Sequence, residues 1–405
     1  MNTTFLRALS QRDFALLWTG QTISLFGDGI FTIALAWQAL ELSGSATTLG
    51  LVLLVRSAAR IFILLVGGAV GDRIQRRPLM LIGDTVQAVA VGAVAVLVGT
   101  GQLHVWHLLV LGAITGGGSG ILLAASTALV PQLVTEDLLP SANSLTSTSR
   151  LMALALIGPA VGGVLVATLG TGLAFSVDAA SFLASIAALV LIRPRAMKAV
   201  SSAAILQDVR EGFAYVRERP WLWVTLLAVG TVGNFVAIGP LSVLVPLLVR
   251  SLGGGADSLG LVFAGLGVGG VAAAVMSGSV RLPRGTTAPA FLGWGASGLG
   301  IAALGFAPNI LTATALLALV GFCNEAAQVV WVTLLQVHIP ERLLGRVSSI
   351  DWFVSLSLQP LGLGLAGPAA AALGVGGALV VGGTVAATTA GIGFLRPGVR
   401  DLDPV

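Results

Sequence analysis

The feature that most constrains this chain is the recurrence of apolar runs about twenty residues long, the length an α-helix needs to cross the hydrocarbon core of a bilayer. Twelve such runs fall at residues 14–40, 47–70, 79–100, 105–130, 142–169, 172–193, 221–249, 258–280, 287–306, 309–335, 346–373 and 375–395. Of the 405 residues, 56% are hydrophobic and 9% charged, whereas a soluble chain carries roughly a quarter charged residues. Inside a bilayer the backbone must satisfy itself, which leaves helices or a closed barrel, and runs this long are not a barrel's short alternating strands. The expectation is an all-α membrane protein of twelve transmembrane helices in two pseudo-symmetric six-helix bundles.

The arginines set the orientation. With the N-terminus cytoplasmic, the inner segments hold Arg7, Arg12, Arg73, Arg76, Arg77, Arg193, Arg195, Lys198, Arg342, Arg346 and others, and the outer ones only Arg250. This asymmetry follows the positive-inside rule and predicts a multi-pass protein of the cell's inner (cytoplasmic) membrane with both termini cytoplasmic. The net charge of +4 then reflects topology, and no nucleic-acid partner is expected. The polar start MNTTFLRALSQRDF lacks a small-residue cleavage site, so no removable signal peptide is expected.

Soluble-enzyme chemistry finds no support. The single cysteine, Cys323, precludes an intrachain disulfide, and His104, His107 and His338 lack the carboxylate or thiolate company of a metal site. The run GGGSG at Gly116 lacks the Lys-Ser/Thr of a phosphate loop. Neither an enzyme activity nor a metal or other cofactor is expected, and the energy for any transport would come from the proton motive force.

Between the sixth and seventh runs, Ile205, Val209, Phe213 and Val216 recur at helical spacing among Asp208, Arg210, Glu211 and Arg217, the pattern of an amphipathic helix on the inner leaflet. The expected organisation is therefore an N-terminal bundle at 1–193, a linker at 194–220 and a C-terminal bundle at 221–405. The halves repeat: ATTLGLV from Ala46 matches ADSLGLV from Ala256 at an offset of 210, and EDLLPSANSL from Glu136 matches ERLLGRVSSI from Glu341 at 205. A parallel repeat of this kind is the plan of a transporter.

The stretch GGAVGDRIQRRP resembles the signature loop between helices two and three of the major facilitator superfamily, with Gly68, Asp72, Arg73, Arg76 and Arg77 on its usual positions. RDFALLWTGQTISLFGDGIFTIAL, FSVDAASFLASIAALVL and IPERLLGRVSSI are similar to the drug:proton antiporter branch that holds macrolide-efflux proteins and the enterobactin exporter. The resemblance implies a secondary active transporter, a proton-coupled antiporter that exports amphipathic drugs or secondary metabolites by alternating access. It also implies a cavity lined by helices one, four, seven and ten, with a small amphipathic substrate, protons and the lipid bilayer as partners, and a monomer. The alternatives are a dedicated exporter of one metabolite such as a siderophore or lipid, and a transport-dead membrane sensor or assembly partner.

Intramembrane charge is costly and marks candidate sites. Asp28 lies near the middle of the first span and is the first candidate proton carrier; the repeat puts Asn234 near the corresponding place, and Glu325 is the second candidate. Arg56 and Arg60, a turn apart, need partners or water, and one of them could pair with a cavity acid, which the sequence does not distinguish; Arg56 is carried as a candidate of the coupling site. Asp178 reads as a structural hydrogen-bonding residue, and Asp351 as interfacial. In the signature loop, Gly68 and Gly71 would let helices two and eleven approach, and Asp72 would meet Arg346 as a latch. Asp84 would neutralise Arg76 or Arg77 in that network. The matching second-half loop keeps Gly278 but has Leu282 in place of the acid. RLMALALIGPAVGG resembles the antiporter motif of helix five, with Arg150, Gly158, Pro159, Gly162 and Gly163 forming a kinked hinge surface that favours export. Phe31, Trp37, Trp223, Phe235, Phe322 and Trp331 would suit an amphipathic ligand.

Overall fold

The computed structural model describes residues 3–71, 75–193, 202–277, 285–400 and 402. Their apolar runs fold as α1 (Arg12–Ser43), α2 (Ala46–Gly71), α3 (Arg76–Gly99), α4 (Val105–Leu133), α5 (Leu139–Leu151) and α6 (Gly158–Leu191). Then come α7 (Ser202–Arg217), α8 (Pro220–Thr225), α9 (Gly239–Ser251), α10 (Ala256–Ser277), α11 (Ala288–Leu304), α12 (Ile310–His338), α13 (Glu341–Leu356) and α14 (Gln359–Phe394). Among the described residues nine helical stretches are long and apolar enough to cross a membrane, and two of these run for 53 residues. Each long stretch is broken by a glycine with positive φ, Gly170 (φ 81°) and Gly374 (φ 73°), where a side chain would be strained. Divided there, and with the shorter α11 counted, the chain makes twelve passes, the number read from the sequence.

Two passes contain wider turns. Residues Met152–Ile157 form a π-helix that joins α5 to α6, and Gly158 donates to Ala153 O just before Pro159. The seventh pass carries two such segments, Leu226–Thr231 and Asn234–Ile238, and Gly239 donates to Asn234 O just before Pro240. A proline removes one rung of the helical ladder, and a π-turn re-spaces the backbone ahead of it.

The chain divides into two compact units, one of residues 1–200 with 255–261 and the other of residues 201–254 with 262–405. In the first unit Phe14, Leu17, Met80, Leu133, Leu145 and Leu189 belong to one buried cluster. In the second, Val216, Trp221, Leu222, Trp331, Leu334 and Val347 do the same. Helix α7 packs in the second unit rather than only lying on a surface: Val216 is buried, and Gly212 sits against Ile350 and Arg346, while Phe213 is exposed.

The internal repeat is visible as matching backbone contacts. A methyl group on Gly116 would run into the carbonyl of Arg56, and one on Gly321 into that of Leu266, each standing 3.1 Å from the facing Cα. The two pairs are related by the offsets of 205 and 210 found in the sequence. A second matched pair is Gly158, whose methyl would meet the Cα of Gly29, and Gly362, whose methyl would meet the carbonyl of Phe235. The residue preceding Gly29 is Asp28 and the residue preceding Phe235 is Asn234, so these two occupy matching positions.

Candidate functional site

Three helix ends register the first unit. Arg12 Nη1 reaches Leu191 O at 3.4 Å, and Arg77 donates through Nε to Leu189 O (2.6 Å) and through Nη2 to Val190 O (2.8 Å). From that common end, Asp28 lies about 24 Å along α1, by a rise of about 1.5 Å per residue, which is well inside the bilayer core. The guanidinium groups of Arg56, Arg150 and Arg60 act electrostatically on its carboxylate, with no direct ion pair to it among the described residues. Glycines 112, 116 and 120 of α4 bring α2 close at Val52, Arg56 and Arg60. The glycine run that is no phosphate loop is thus a packing surface that presents two arginines. Arg56 also sits 4.6 Å from the ring centroid of Phe31, which packs edge-on against Phe175. Guanidinium is a weakly hydrated cation suited to such a partner.

The antiporter-like hinge borders the same place. Gly158 faces Gly29, next to Asp28; Gly162 stands 2.9 Å from the Cα of Ile30, measured from where its methyl would be. Gly163 packs on Gly260, in the 255–261 segment of the same unit. Pro159 is buried beside the π-turn, and Arg150, at the end of α5, is solvent-accessible.

The signature loop divides. Gly68 ends up in the last turns of α2 and Arg76 and Arg77 open α3, whereas Asp72 and Arg73 lie outside the described residues, as do Gly278 and Leu282. Arg346, proposed as the latch cation, donates to Glu211 Oε2 of α7 at 2.5 Å. Asp84 does not neutralise Arg76 or Arg77: it is fully buried about two turns into α3 and accepts from Ser185 Oγ at 2.7 Å, while Arg77 is committed to the carbonyls that end α6. The exposed carbonyls of a helix C-terminus carry about half a negative charge and attract a cation.

Asp178 is also fully buried. Its Oδ1 lies 3.5 Å from Ser181 Oγ, its Oδ2 has no partner among the described residues, and it interacts electrostatically with Asp28 and Arg56. Ser181, Ser185 and Gln21 were missed as polar partners, although FSVDAASFLASIAA shows Asp178, Ser181 and Ser185 recurring on one helical face.

In the second unit Glu325 is half-buried within α12, with no hydrogen bond or ion pair among the described residues. Asn234 sits in a π-turn and donates to Gly230 O at 2.8 Å. Asp351 is not interfacial at a helix start: α13 begins at Glu341, and mid-helix Asp351 accepts from Trp331 Nε1 at 3.1 Å and Ser355 Oγ at 3.4 Å. Of the aromatics expected to meet a ligand, Phe31 and Trp331 are core residues and Trp37 donates to Glu41 at 2.7 Å; Trp223 is exposed, and Phe235 and Phe322 are partly so.

Twelve passes, a six-helix repeat and charged side chains held within the span of one bundle define a polytopic membrane transporter rather than an enzyme. A family model described as transmembrane secretion effector matches residues 3–403, and the chain belongs to this family of major facilitator superfamily transporters. It is similar to the multidrug efflux pump Tap of Mycolicibacterium fortuitum, 29% identical over 86% of this chain and 87% of that one. Macrolide efflux protein A of Streptococcus pyogenes is 24% identical over 96% and 97% of the two chains, and the enterobactin exporter EntS of Shigella boydii serotype 18 is 24% identical over 95% and 90%. Among solved structures, a bacterial homolog of the human lysosomal transporter Spinster aligns with a TM-score of 0.67 at 13% identity, over 96% of this chain and 95% of that one. A POT family transporter aligns with a TM-score of 0.73 at 12% identity, over 94% and 95%. These two show the fold alone.

Proposed function

We propose that this protein is a proton-coupled antiporter of the cytoplasmic membrane, with both termini inside, that exports amphipathic drugs or secondary metabolites by alternating access. The observation that carries the reading is Asp28: an acid deep in the first pass, facing Arg56, Arg150 and Arg60, on the helix that the Gly158–Pro159 hinge touches. A carboxyl group so placed can hold either a proton or a cationic cargo group, so loading one releases the other. The export direction rests on the relatives, named as a multidrug pump, a macrolide efflux protein and a siderophore exporter. A proton crossing about 150 mV supplies about 3.5 kcal/mol, enough for a few-hundred-fold concentration ratio.

The test is accumulation of a panel of amphipathic cations and macrolides in cells and proteoliposomes, with and without a protonophore. Wild type is expected to lower accumulation only while the proton gradient stands, and Asp28→Asn to lose about 100-fold of gradient-driven export while the protein still folds. Export indifferent to the protonophore, or unchanged in Asp28→Asn, would remove proton coupling at this residue. A response confined to one siderophore or lipid would replace the broad substrate class with a dedicated one.

A further inference from the structure

Behind Asp28, the first unit contains a stripe of polar side chains that the export reading does not use. On α6, Asp178, Ser181 and Ser185 follow one another at helical spacing, facing α1 at Gly27 and Gly20. Gly27 is the neighbour of Asp28 in the chain, and a methyl group there would strike both Ser181 Oγ and Asp178 Oδ1. At the other end of the stripe, Ser185 Oγ donates to Asp84 Oδ2 (2.7 Å) and accepts from Gln21 Nε2 (2.7 Å). Measured by helix rise from the end where Arg12, Arg77 and Leu191 meet, Asp28 is about 24 Å deep, Asp178 about 20 Å and Asp84 about 12 Å. The stripe therefore runs from the middle of the span toward the arginine-rich end of the bundle.

Its hydrogen bonding is incomplete in a particular way. Asp84 Oδ1, Asp178 Oδ2 and Gln87 Nε2 are buried with no partner among the described residues. An ionised carboxylate offers about four acceptor sites and has to be met by donors or cations when buried. Asp84 meets one good donor, and Asp178 none closer than 3.5 Å. Of the cations nearby, Arg56 of α2 acts on both Asp28 and Asp178, whereas Arg60 of α2 and Arg150 of α5 act on Asp28, none of the three acts on Asp84, and Arg76 and Arg77 remain at the bundle end. Helix α4, which packs on α3, has no charged side chain between His107 and Leu133. The remaining charges of α1, Arg12 and Asp13, stand at that same end, and Glu41 stands at the opposite end. A protonated acid at Asp84 or Asp178 leaves fewer lone pairs unanswered than a carboxylate would.

We infer that Asp178 and Asp84 are two further proton-carrying residues of this transporter, which take the coupling proton from Asp28 and pass it through the interior of the first bundle toward its arginine-rich end. The inference rests on the proton-coupled reading above. In each transfer one O–H bond breaks on the donor carboxyl and one forms on the acceptor, and the donor is left as a carboxylate; across the roughly 8 Å of depth between Asp178 and Asp84 the proton is handed on by an intervening hydroxyl or water, which forms one O–H bond as it breaks another. The carboxylate left at Asp28 has three guanidinium groups acting on it, Asp178 shares only Arg56 with it, and Asp84 has none, so the proton moves to where fewer cations stand. Proton and cargo are thereby separated, the proton behind α1 and the cargo free to meet Asp28.

The proton itself is the probe. Purified full-length protein is titrated while the infrared C=O band of protonated carboxyl groups is recorded, and the same protein in proteoliposomes is assayed for ethidium transport driven by an imposed pH difference. Asp84→Asn and Asp178→Asn should each remove one carboxyl band distinct from that lost in Asp28→Asn. Ser185→Ala should shift the Asp84 band, and Asp28→Asn, Asp84→Asn and Asp178→Asn should each lose tenfold or more of pH-driven transport, with ethidium exchange in the absence of a gradient falling much less in the Asp84 and Asp178 variants. A wild-type spectrum with no band traceable to Asp84 or Asp178 overturns the inference, and that measurement needs no variant to be active. Bands that are present while both Asn variants keep full pH-driven transport also overturn it. Wild-type ethidium transport that ignores the pH difference would instead defeat the proton-coupled reading itself, a result distinguishable because it appears before any variant is made.

Discussion

Where the second and fourth passes meet, the first bundle sets Arg56 against Gly116 and the second sets Leu266 against Gly321, with the same backbone approach. The same contrast recurs wherever the repeat can be followed. Asp28 stands opposite Asn234; Arg60 opposite Gly270; Asp84, which follows Gly83 in its contact with Gly118, opposite Trp294, which follows Gly293 in its contact with Cys323. The offset of 204 between the kinks at Gly170 and Gly374 sets Asp178 opposite Gly382. In the reverse direction, Glu325 stands opposite Gly120. One scaffold has thus been kept twice at the level of backbone contact, while the intramembrane arginines and the fully buried acids have collected in one copy, the second keeping, among the described residues, only the partly buried Glu325 and Asp351. Close helix contact through small residues is a property of the backbone and tolerates any neighbour that leaves the groove open, whereas each buried charge needs partners and so arrives or departs in company.

Removing one member of the charged company should therefore have the largest effect. Arg56→Leu installs the residue that the second bundle already has, and leaves Asp28 and Asp178 short of a cation; the expected loss is about 3–5 kcal/mol, the usual cost of orphaning a buried charge. Thermal unfolding in detergent measures it. The double variant Arg56→Leu/Asp28→Asn should recover at least half of the loss, since the acid is removed along with its partner. Leu266→Met, at the matching place, should change stability by less than about 1.5 kcal/mol. If Arg56→Leu is as mild as Leu266→Met, the two bundles are not as different in kind as their charges make them look.

A second pair of variants attacks the shared half of the comparison. Gly116→Ala and Gly321→Ala put a methyl group into equivalent carbonyls, and overpacking of this sort costs about 1–3 kcal/mol. The repeat predicts that the two costs agree within about 1 kcal/mol although one site is flanked by arginine and the other by leucine. A large cost at Gly116 alone would mean that the groove there serves Arg56 in particular rather than the helix pair.

These contacts explain what the sequence could and could not disclose. Helix limits were legible because the bilayer imposes a length and because Gly170 and Gly374 lie at gaps between apolar runs. The repeat was legible because ATTLGLV and ADSLGLV keep the same small and apolar residues in the same order. The π-turns of the fifth and seventh passes were not, since apolar π- and α-helical segments have the same composition. Asp28 could be placed by depth alone. The partners of Asp84, Arg77 and Arg346 could not, because a hydrogen bond between Asp84 and Ser185 or between Arg346 and Glu211 joins residues more than a hundred positions apart. The polar face of the sixth pass was open to view in the spacing of Asp178, Ser181 and Ser185, but not the missing partner of Asp178, which depends on what α1 and α2 bring to it.

The smallest expected effect concerns the Arg346–Glu211 ion pair of the second unit. Arg346 corresponds at an offset of 205 to Ser141, and its partner Glu211 belongs to α7, the helix that only the second unit has packed on its thirteenth. The two side chains are 30% and 40% exposed, so water screens the attraction, and such pairs are worth about 0–1 kcal/mol. Glu211→Gln keeps an oxygen for Arg346 to donate to and removes the charge. Stability should fall by no more than about 1 kcal/mol, while Glu211→Lys, which sets like charges together, should also loosen α7 enough to raise its rate of proteolytic cleavage. Equal cleavage in wild type and both variants would assign the docking of α7 to Val216 and the apolar contact at Gly212 alone. The added charge pair would then be incidental, and the bundles would differ only in what they bury.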